Sequence, residues 1–344
     1  MTLKKILCIG PGYSLKKASE LYSKGCYAGH LLYGVNHITD QLDIILEPQM
    51  EEPGRIKAEF LHVRNYFKIR PDVVYITFSN YGILLLLLRK IHIVQAPVVA
   101  LFHEYQENLL FSHGIIDKVK KYVMNWLRRV ELSAADYPIF ISKYGFEHAR
   151  SARKQYVPLM PELLDDEKQV RKDENNSYII SVGKTKRNYE PLFYAAEQHH
   201  DLKLKIITNH IDGAHDLENV HIIDRIIPYN EVLNYYRDAL AICVPSDETG
   251  GGIYGLSSLL DALSVHKPII TSKTIGLEID VDKLQIGRTY QCGSSKSFYE
   301  AYQYVREHHL EMENSIEKLT RSFNARTFGN KISEILMKAA HDKE

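Results

Sequence analysis

Three clusters of residues have the types and spacing that chemistry needs. Gly183 is followed by Lys184, Lys186 and Arg187 before a helix begins near Asn188. Cations at the carboxyl end of a strand, beside a helix N-terminus, suit a diphosphate, because charge-assisted hydrogen bonds and the helix dipole both favour an anion. Farther on, Asp247 and Glu248 precede Gly250, Gly251 and Gly252, and a helix opening near Gly255 carries Ser257, Ser258 and Asp261 in its first turns. Consecutive glycines let backbone N–H groups turn toward a ligand, and a carboxylate in those turns can accept from ribose hydroxyls. Alone, the first cluster reads equally as a solvated basic turn and the second as a flexible loop. Together they read as one nucleotide site.

The third cluster is weaker. Gly10 and Gly12 follow the first strand, but Leu15 occupies the third glycine position of a dinucleotide fingerprint and no acid ends the second strand. A tight turn whose backbone approaches a ligand fits better than a nicotinamide site. The run "ALFHEY" ends another strand at His103 and Glu104. A lone histidine there is as often structural as functional.

The elements that must hold these residues alternate along the chain. "KKILCIG", "HLLYGV", "LDIILE", "DVVYITF", "APVVALF" and "YPIFIS" read as strands, separated by amphipathic segments such as "RIKAEFLHVRNYFKIR" and "IDKVKKYVMNWLRRVELSAAD". Residues 157–176 hold two prolines and then a charged, poorly periodic stretch, the natural linker. The alternation restarts with "SYIISVG", "LKLKIIT", "VHIID", "LAICVPS" and "KPIITS". Short strands alternating with helices predict parallel sheets covered on both faces, and 344 residues predict two domains.

Net charge is zero, but residues 1–160 carry 21 Lys and Arg against 14 Asp and Glu, while residues 161–344 carry 22 against 29. That asymmetry suits an anionic partner for the first half and is too mild for a dedicated nucleic-acid binder. Four scattered cysteines without a C-x-x-C pair predict free thiols. The opening "MTLKKILCIGPGY" has too short an apolar run for a secretory signal, and "YGILLLLLRKIHIVQAPVVALF" is interrupted by Arg89, Lys90, His92 and Pro97. The expected location is cytoplasmic. The helix holding Lys118, Lys120, Lys121, Arg128 and Arg129 around Tyr122 and Trp126 adds an expectation of peripheral contact with the inner face of an anionic membrane. "DVD" at Asp280–Asp282 imitates a metal-binding motif, but its place after the last strands makes it a coincidence.

On these motifs the chain resembles the retaining glycosyltransferases of family four, which have the GT-B fold. "ELSAADYPIFIS", with Glu131, Ala135, Asp136 and Ser142, is similar to the segment that closes the family's first domain. "IISVGKTKRNYEPL" resembles its strand and basic turn, with Lys184 where the family has arginine and Arg187 where it has lysine. "NVHIIDRIIPYNEVLNYY", including Ile226, resembles the segment that holds the base through backbone groups, and "NARTFGNKISEIL" the helix that crosses back to the first domain. The family's two glutamates eight residues apart are not reproduced. Asp261 occupies the second position, Ile253 the first, and the nearest acid is Glu248; His266 replaces a glycine before Lys267 and Pro268.

The resemblance implies an α/β protein of GT-B architecture, two doubly wound Rossmann-like domains facing a cleft, with a closing helix. Residues 1–162, plus a helix at about 325–344, would form the acceptor domain, and 170–322 the nucleotide-sugar domain. The implied enzyme is a hexosyltransferase-like glycosyltransferase that passes a sugar from a UDP- or GDP-sugar to a glycan or lipid-linked acceptor with retention, as in polysaccharide biosynthesis, using no cofactor or metal. Lys184, Arg187, Glu248 and His103 are the implied catalytic residues. Gly12, Gly183, Ile226, Gly250, Gly251, Gly252, Ser257 and Asp261 are the implied donor contacts. A UDP-sugar 2-epimerase on the same fold and a non-catalytic sugar- or partner-binding subunit are the competing readings.

Overall fold

The computed structural model describes residues 3–10, 14–47, 54–103, 115–164, 178–183, 185–209, 217–247, 254–273 and 279–342. The chain divides into two compact units, one of residues 1–24, 32–159 and 326–344, the other of residues 25–31 and 160–325.

In the first unit, β1 (Lys4–Ile9), β2 (Leu42–Leu46), β3 (Val73–Ile76), β4 (Val98–Phe102), β5 (Tyr137–Phe140) and β6 (Gln155–Tyr156) form a parallel sheet ordered β2-β1-β3-β4-β5-β6. The neighbouring strands β3, β4 and β5 are buried along their whole length, as a sheet covered on both faces requires. Helices α1 (Leu15–Ser23), α2 (Arg55–Ile69), α3 (Ile83–Lys90), α4 (Ile115–Ala134) and α5 (Lys143–His148) follow the strands. Asp136, one of the residues behind the family resemblance, acts structurally. It accepts from Arg89 at 2.9 and 2.8 Å and from the Val98 amide at 2.8 Å, tying α3 to the start of β4.

In the second unit, β7 (Ile179–Val182), β8 (Leu204–Ile207), β9 (Val220–Ile223), β10 (Ala241–Val244), β11 (Ile269–Ser272) and β12 (Gly287–Tyr290) form a second parallel sheet, ordered β12-β11-β10-β7-β8-β9. Its helices are α6 (Glu190–Gln198), α7 (Tyr229–Asp238), α8 (Leu256–Ser264) and α9 (Ser295–Thr320). Leu192, Phe193, Phe298, Val305 and Met312 from α6 and α9 pack on one face of that sheet. The closing helix α10 (Ala325–His341) belongs, from Arg326 onward, to the first unit.

Both sheets reverse their strand order once, between β1 and β3 in the first and between β7 and β10 in the second. Such a switch opens a crevice at the carboxyl ends of the strands, where doubly wound sheets take ligands.

"HLLYGV" is not a strand. It forms two short 3₁₀ turns at Gly29–Leu32 and Val35–His37, because Tyr33 (φ 52°) and Gly34 (φ 82°) are left-handed and strands are not. The short strand β12 and helix α5 carry too weak a period to be read from the chain. Gly287 explains how β12 joins the sheet, since a Cβ there would lie 2.0 Å from the Ile269 carbonyl oxygen. Gly287→Ala must push β12 from β11, so thermal denaturation should show a loss of about 2 kcal/mol or more.

Candidate functional site

The switch between β7 and β10 brings together Gly183, Arg187 and the start of α8. β7 ends at Val182, and Gly183 follows it with a φ of 127°, open to glycine and strained for other residues. The turn after it is pinned to the turn after β10: the Asn188 amide donates to the Pro245 carbonyl at 2.8 Å, Asp247 N donates to the Lys186 carbonyl at 3.2 Å, and Arg187 bridges Ser246. The Lys186 ammonium lies 3.9 Å from the Asp247 carboxylate.

Arg187 turns inward from this turn. Its guanidinium lies against two glycines: a Cβ on Gly183 would meet Nη2 at 3.2 Å, and one on Gly255 would meet Nη1 at 3.4 Å. Gly255 (φ 93°) is the N-cap of α8 and supplies no side chain to cap it. The first amides of a helix have no partner within the helix, so the guanidinium and the α8 N-terminus present donors to one place. Nη1 donates to the Thr185 carbonyl at 3.2 Å, while Nε is buried with no hydrogen-bond partner. Among the described residues no carboxylate pairs with Arg187. Burial holds its pKa below the ordinary arginine value, opposed by the hydroxyls of Tyr189 and Tyr236. A partly desolvated cation with no counter-charge carries a cost that an anionic ligand reduces.

Asp261 sits one turn into α8 and is buried. Its Oδ1 accepts the Tyr229 hydroxyl at 2.7 Å. Burial pushes the carboxyl up to about 7, with the Tyr229 hydrogen bond pulling it back. His30, from the segment 25–31 that belongs to this unit, has Nε2 4.0 Å from the same oxygen. Burial lowers that imidazole to about 4, so it is neutral at neutral pH. Tyr236 is fully buried, and both Arg187 and Asp261 act on its hydroxyl electrostatically.

Ser257 is exposed, whereas the neighbouring Ser258 is buried and donates to the Val182 carbonyl at 3.2 Å, so Ser258 is the serine that faces the strand end. Ile226 is highly exposed, just before α7. Lys184, Glu248, Gly250, Gly251, Gly252 and Gly12 lie outside the described residues. Tyr229, Tyr236 and Gly255 were not singled out in the sequence. The two tyrosines stand seven residues apart on α7, one helical face, and that spacing was their signal.

His103, at the end of β4 in the first unit, is buried beside that unit's own switch point. Its Nε2 lies 3.1 Å from the Thr77 carbonyl, its ring stacks on Phe78 at 3.9 Å, and Tyr33 meets it edge-on. A carbonyl only accepts, so Nε2 carries the proton, and burial lowers the imidazole to about 4. The histidine is therefore neutral and locked in one tautomer. Thr77 in turn donates from Oγ1 to the Ile9 carbonyl at 2.9 Å, joining the ends of β1 and β3. The "DVD" acids are engaged in local structure: Asp280 accepts the Lys283 amide at 3.0 Å, and Asp282 accepts from Thr289.

No family model matches the chain, and no curated protein matches it in sequence. Solved structures do match. Sucrose-phosphate synthase from Thermosynechococcus elongatus superposes with a TM-score of 0.67 at 12% identity, covering 98% of this chain and 99% of that one. HepE from Anabaena, solved with UDP and glucose, gives 0.62 at 12% identity over 98% and 100%. The fold is GT-B. WaaG, a glycosyltransferase involved in lipopolysaccharide biosynthesis, matches the same GT-B fold with a TM-score of 0.58 at 13% identity over 96% and 99%. The two doubly wound sheets and the C-terminal helix α10 agree with the GT-B architecture expected from the sequence motifs.

Proposed function

We propose that this chain is a glycosyltransferase that binds a nucleoside-diphosphate sugar in the second unit. The observation that carries the reading is the half-buried Arg187 guanidinium, its Nε buried without a hydrogen-bond partner and no carboxylate paired with it among the described residues, between Gly183 and Gly255 at the β7–β10 switch. The likeness to the glycosyltransferase WaaG, and to HepE, which was solved with UDP and glucose, supports the same reading. Residues 170–322 hold the donor, and residues 1–162 with the closing helix hold the acceptor.

In the reaction the bond between the anomeric carbon and the β-phosphate oxygen breaks, the acceptor oxygen forms the new bond to that carbon, and the hydroxyl's proton leaves on the departing diphosphate. Negative charge grows on the departing diphosphate. Arg187, with Lys184 and the amides around Gly250, Gly251, Gly252 and the α8 N-terminus, stabilises that charge; such preorganised donors contribute ~3 kcal/mol each. Gly183 leaves room for the phosphate to approach the turn. Ile226 lies in the segment that takes the base, Ser257 stands at the same helix start, and Asp261 accepts from the ribose. By the family resemblance Glu248 contacts the donor sugar. His103, neutral and fixed by Thr77, is the histidine to which the family resemblance gives a catalytic role. By the family resemblance the acceptor attacks on the face that the diphosphate leaves, so configuration is retained and the donor needs no metal. A screen of UDP, GDP and CMP by thermal shift tests the reading. A rise in melting temperature with a nucleoside diphosphate is expected, and no rise with any of them would sink it.

The acceptor is a glycan or a lipid-linked glycan at the membrane face. On α4, Val119, Tyr122, Val123 and Trp126 form an exposed stripe at helical spacing, beside Lys118, Arg128 and Arg129. Apolar side chains among cations suit an anionic bilayer surface. The side chains of Lys120 and Lys121 lie outside the described residues. Among the described residues no helix is long and apolar enough to cross a membrane. The chain should float with vesicles containing phosphatidylglycerol at low salt and stay behind with pure phosphatidylcholine. Tyr122→Glu with Trp126→Glu should reduce flotation about tenfold, and equal flotation of that variant would remove the membrane contact.

A further inference from the structure

Asp261 is a short carboxylate, and something other than its own length must set the direction of its free oxygen. Rotation of a carboxylate about its terminal bond is soft, so an isolated aspartate does not hold one orientation. Here Oδ1 accepts the Tyr229 hydroxyl at 2.7 Å, while Oδ2 makes no hydrogen bond among the described residues. The side chain keeps 11% of its surface open. His30 does not help to orient it, because Nε2 is 4.0 Å from Oδ1, beyond hydrogen-bond range, and neither ring nitrogen has a hydrogen-bond partner. Tyr229 is thus the one described side chain that bonds the carboxylate.

The origin of Tyr229 matters as much as its contact. It is the first residue of α7, behind Pro228, and stands three residues after Ile226. α7 follows the exposed segment at 224–228, whereas Asp261 belongs to α8, which follows β10. One hydrogen bond therefore couples the segment expected to hold the base to the carboxylate expected to hold the sugar ring of the nucleotide.

We propose that Tyr229 is a positioning residue of the donor site, fixing Asp261 so that its free oxygen selects ribonucleotides over deoxyribonucleotides. The inference rests on the reading of Asp261 as the ribose acceptor. A charged acceptor held in place discriminates between a hydroxyl and a hydrogen; the same acceptor free to rotate does so less well, because ordering it then costs part of the bond.

The test measures dissociation constants of UDP, GDP and their 2′-deoxy and 3′-deoxy counterparts for the full chain, its Tyr229→Phe variant, Asp261→Asn and the double variant. In the wild-type chain at least one deoxy form is expected to bind about 10- to 100-fold more weakly than the ribonucleotide. Tyr229→Phe should weaken the ribonucleotide about tenfold and leave that deoxy form unchanged, collapsing the ratio. Once Asp261→Asn is present, adding Tyr229→Phe should change little, since both act on one carboxylate. A structural role alone would weaken all nucleotides together and preserve the ratio. That outcome, or an unchanged ribonucleotide affinity in Tyr229→Phe, overturns the assignment of Tyr229 and leaves the donor site standing. Failure of every nucleotide to bind the wild-type chain overturns the functional reading, and this assignment with it.

Discussion

Arg187→Ala is expected to weaken nucleoside-diphosphate binding about 100-fold, roughly 3 kcal/mol, and to abolish the ligand-induced rise in melting temperature. The guanidinium is the one described cation turned inward between Gly183 and Gly255, and its buried Nε has no partner in the free protein. Removing it deletes a charge-assisted contact to the diphosphate and the balance of charge in the bond-breaking step. The effect on the free protein should run the other way. An unpaired guanidinium is held in the fold at a desolvation cost, so its loss should not lower the melting temperature without ligand. Arg187→Lys should recover only part of the affinity, because an ammonium cannot reproduce the planar fork between two glycines. Calorimetric titration together with melting of the free and loaded protein checks both halves. A variant that binds nucleotide as the wild type does would move the diphosphate elsewhere.

The second large effect is on pH. An aspartate in an unfolded chain ionises near 4, and burial raises Asp261 to about 7. The folded protein therefore holds this proton more tightly than the unfolded chain. Its contribution to stability is full below about pH 4 and is lost as pH rises through about 7. Ligand binding has the opposite sign, since only the ionised carboxylate accepts freely from two hydroxyls. Ribonucleotide affinity should rise about tenfold between about pH 6 and pH 8, following the ionised fraction. The groups facing Asp261 do not titrate in that window: His30 is already neutral, and Tyr229 and Tyr236 are raised well above the ordinary tyrosine value. Asp261→Asn should bind more weakly at pH 8 and lose this component of the pH dependence. The part that remains in Asp261→Asn belongs to the nucleotide's own phosphate, so the comparison of the two chains isolates the carboxylate. A wild-type affinity that tracks Asp261→Asn across the range would remove Asp261 from the ribose.

The cations and glycines after β7 were legible because their chemistry is local. A strand, a positive-φ glycine, a basic turn and a helix start follow one another within a dozen residues, and each has its own signal. The same holds for the alternation of strands and helices. "HLLYGV" misled, because its apolar content is that of a strand while Tyr33 and Gly34 adopt left-handed backbone, and Gly34 packs so closely on Phe328 that a Cβ would lie 2.9 Å from its ring. Ser257 and Ser258 could not be told apart along the chain. A helical rotation of one residue decides which serine meets the Val182 carbonyl.

By itself, then, the sequence determined the two alternating α/β halves and the order of glycine, basic turn and helix start from Gly183 through Arg187, since these rest on periodicity and on residue types close together in the chain. Only the tertiary structure decided that β7 and β10 are neighbours at a switch in strand order, so that Arg187 lies against Gly255, sixty-eight residues later, with no carboxylate among the described residues to neutralise it. It also decided that Asp261 is held by Tyr229 and lifted to about 7. Desolvation and partner choice are properties of the assembled surroundings, which no local stretch of residues contains.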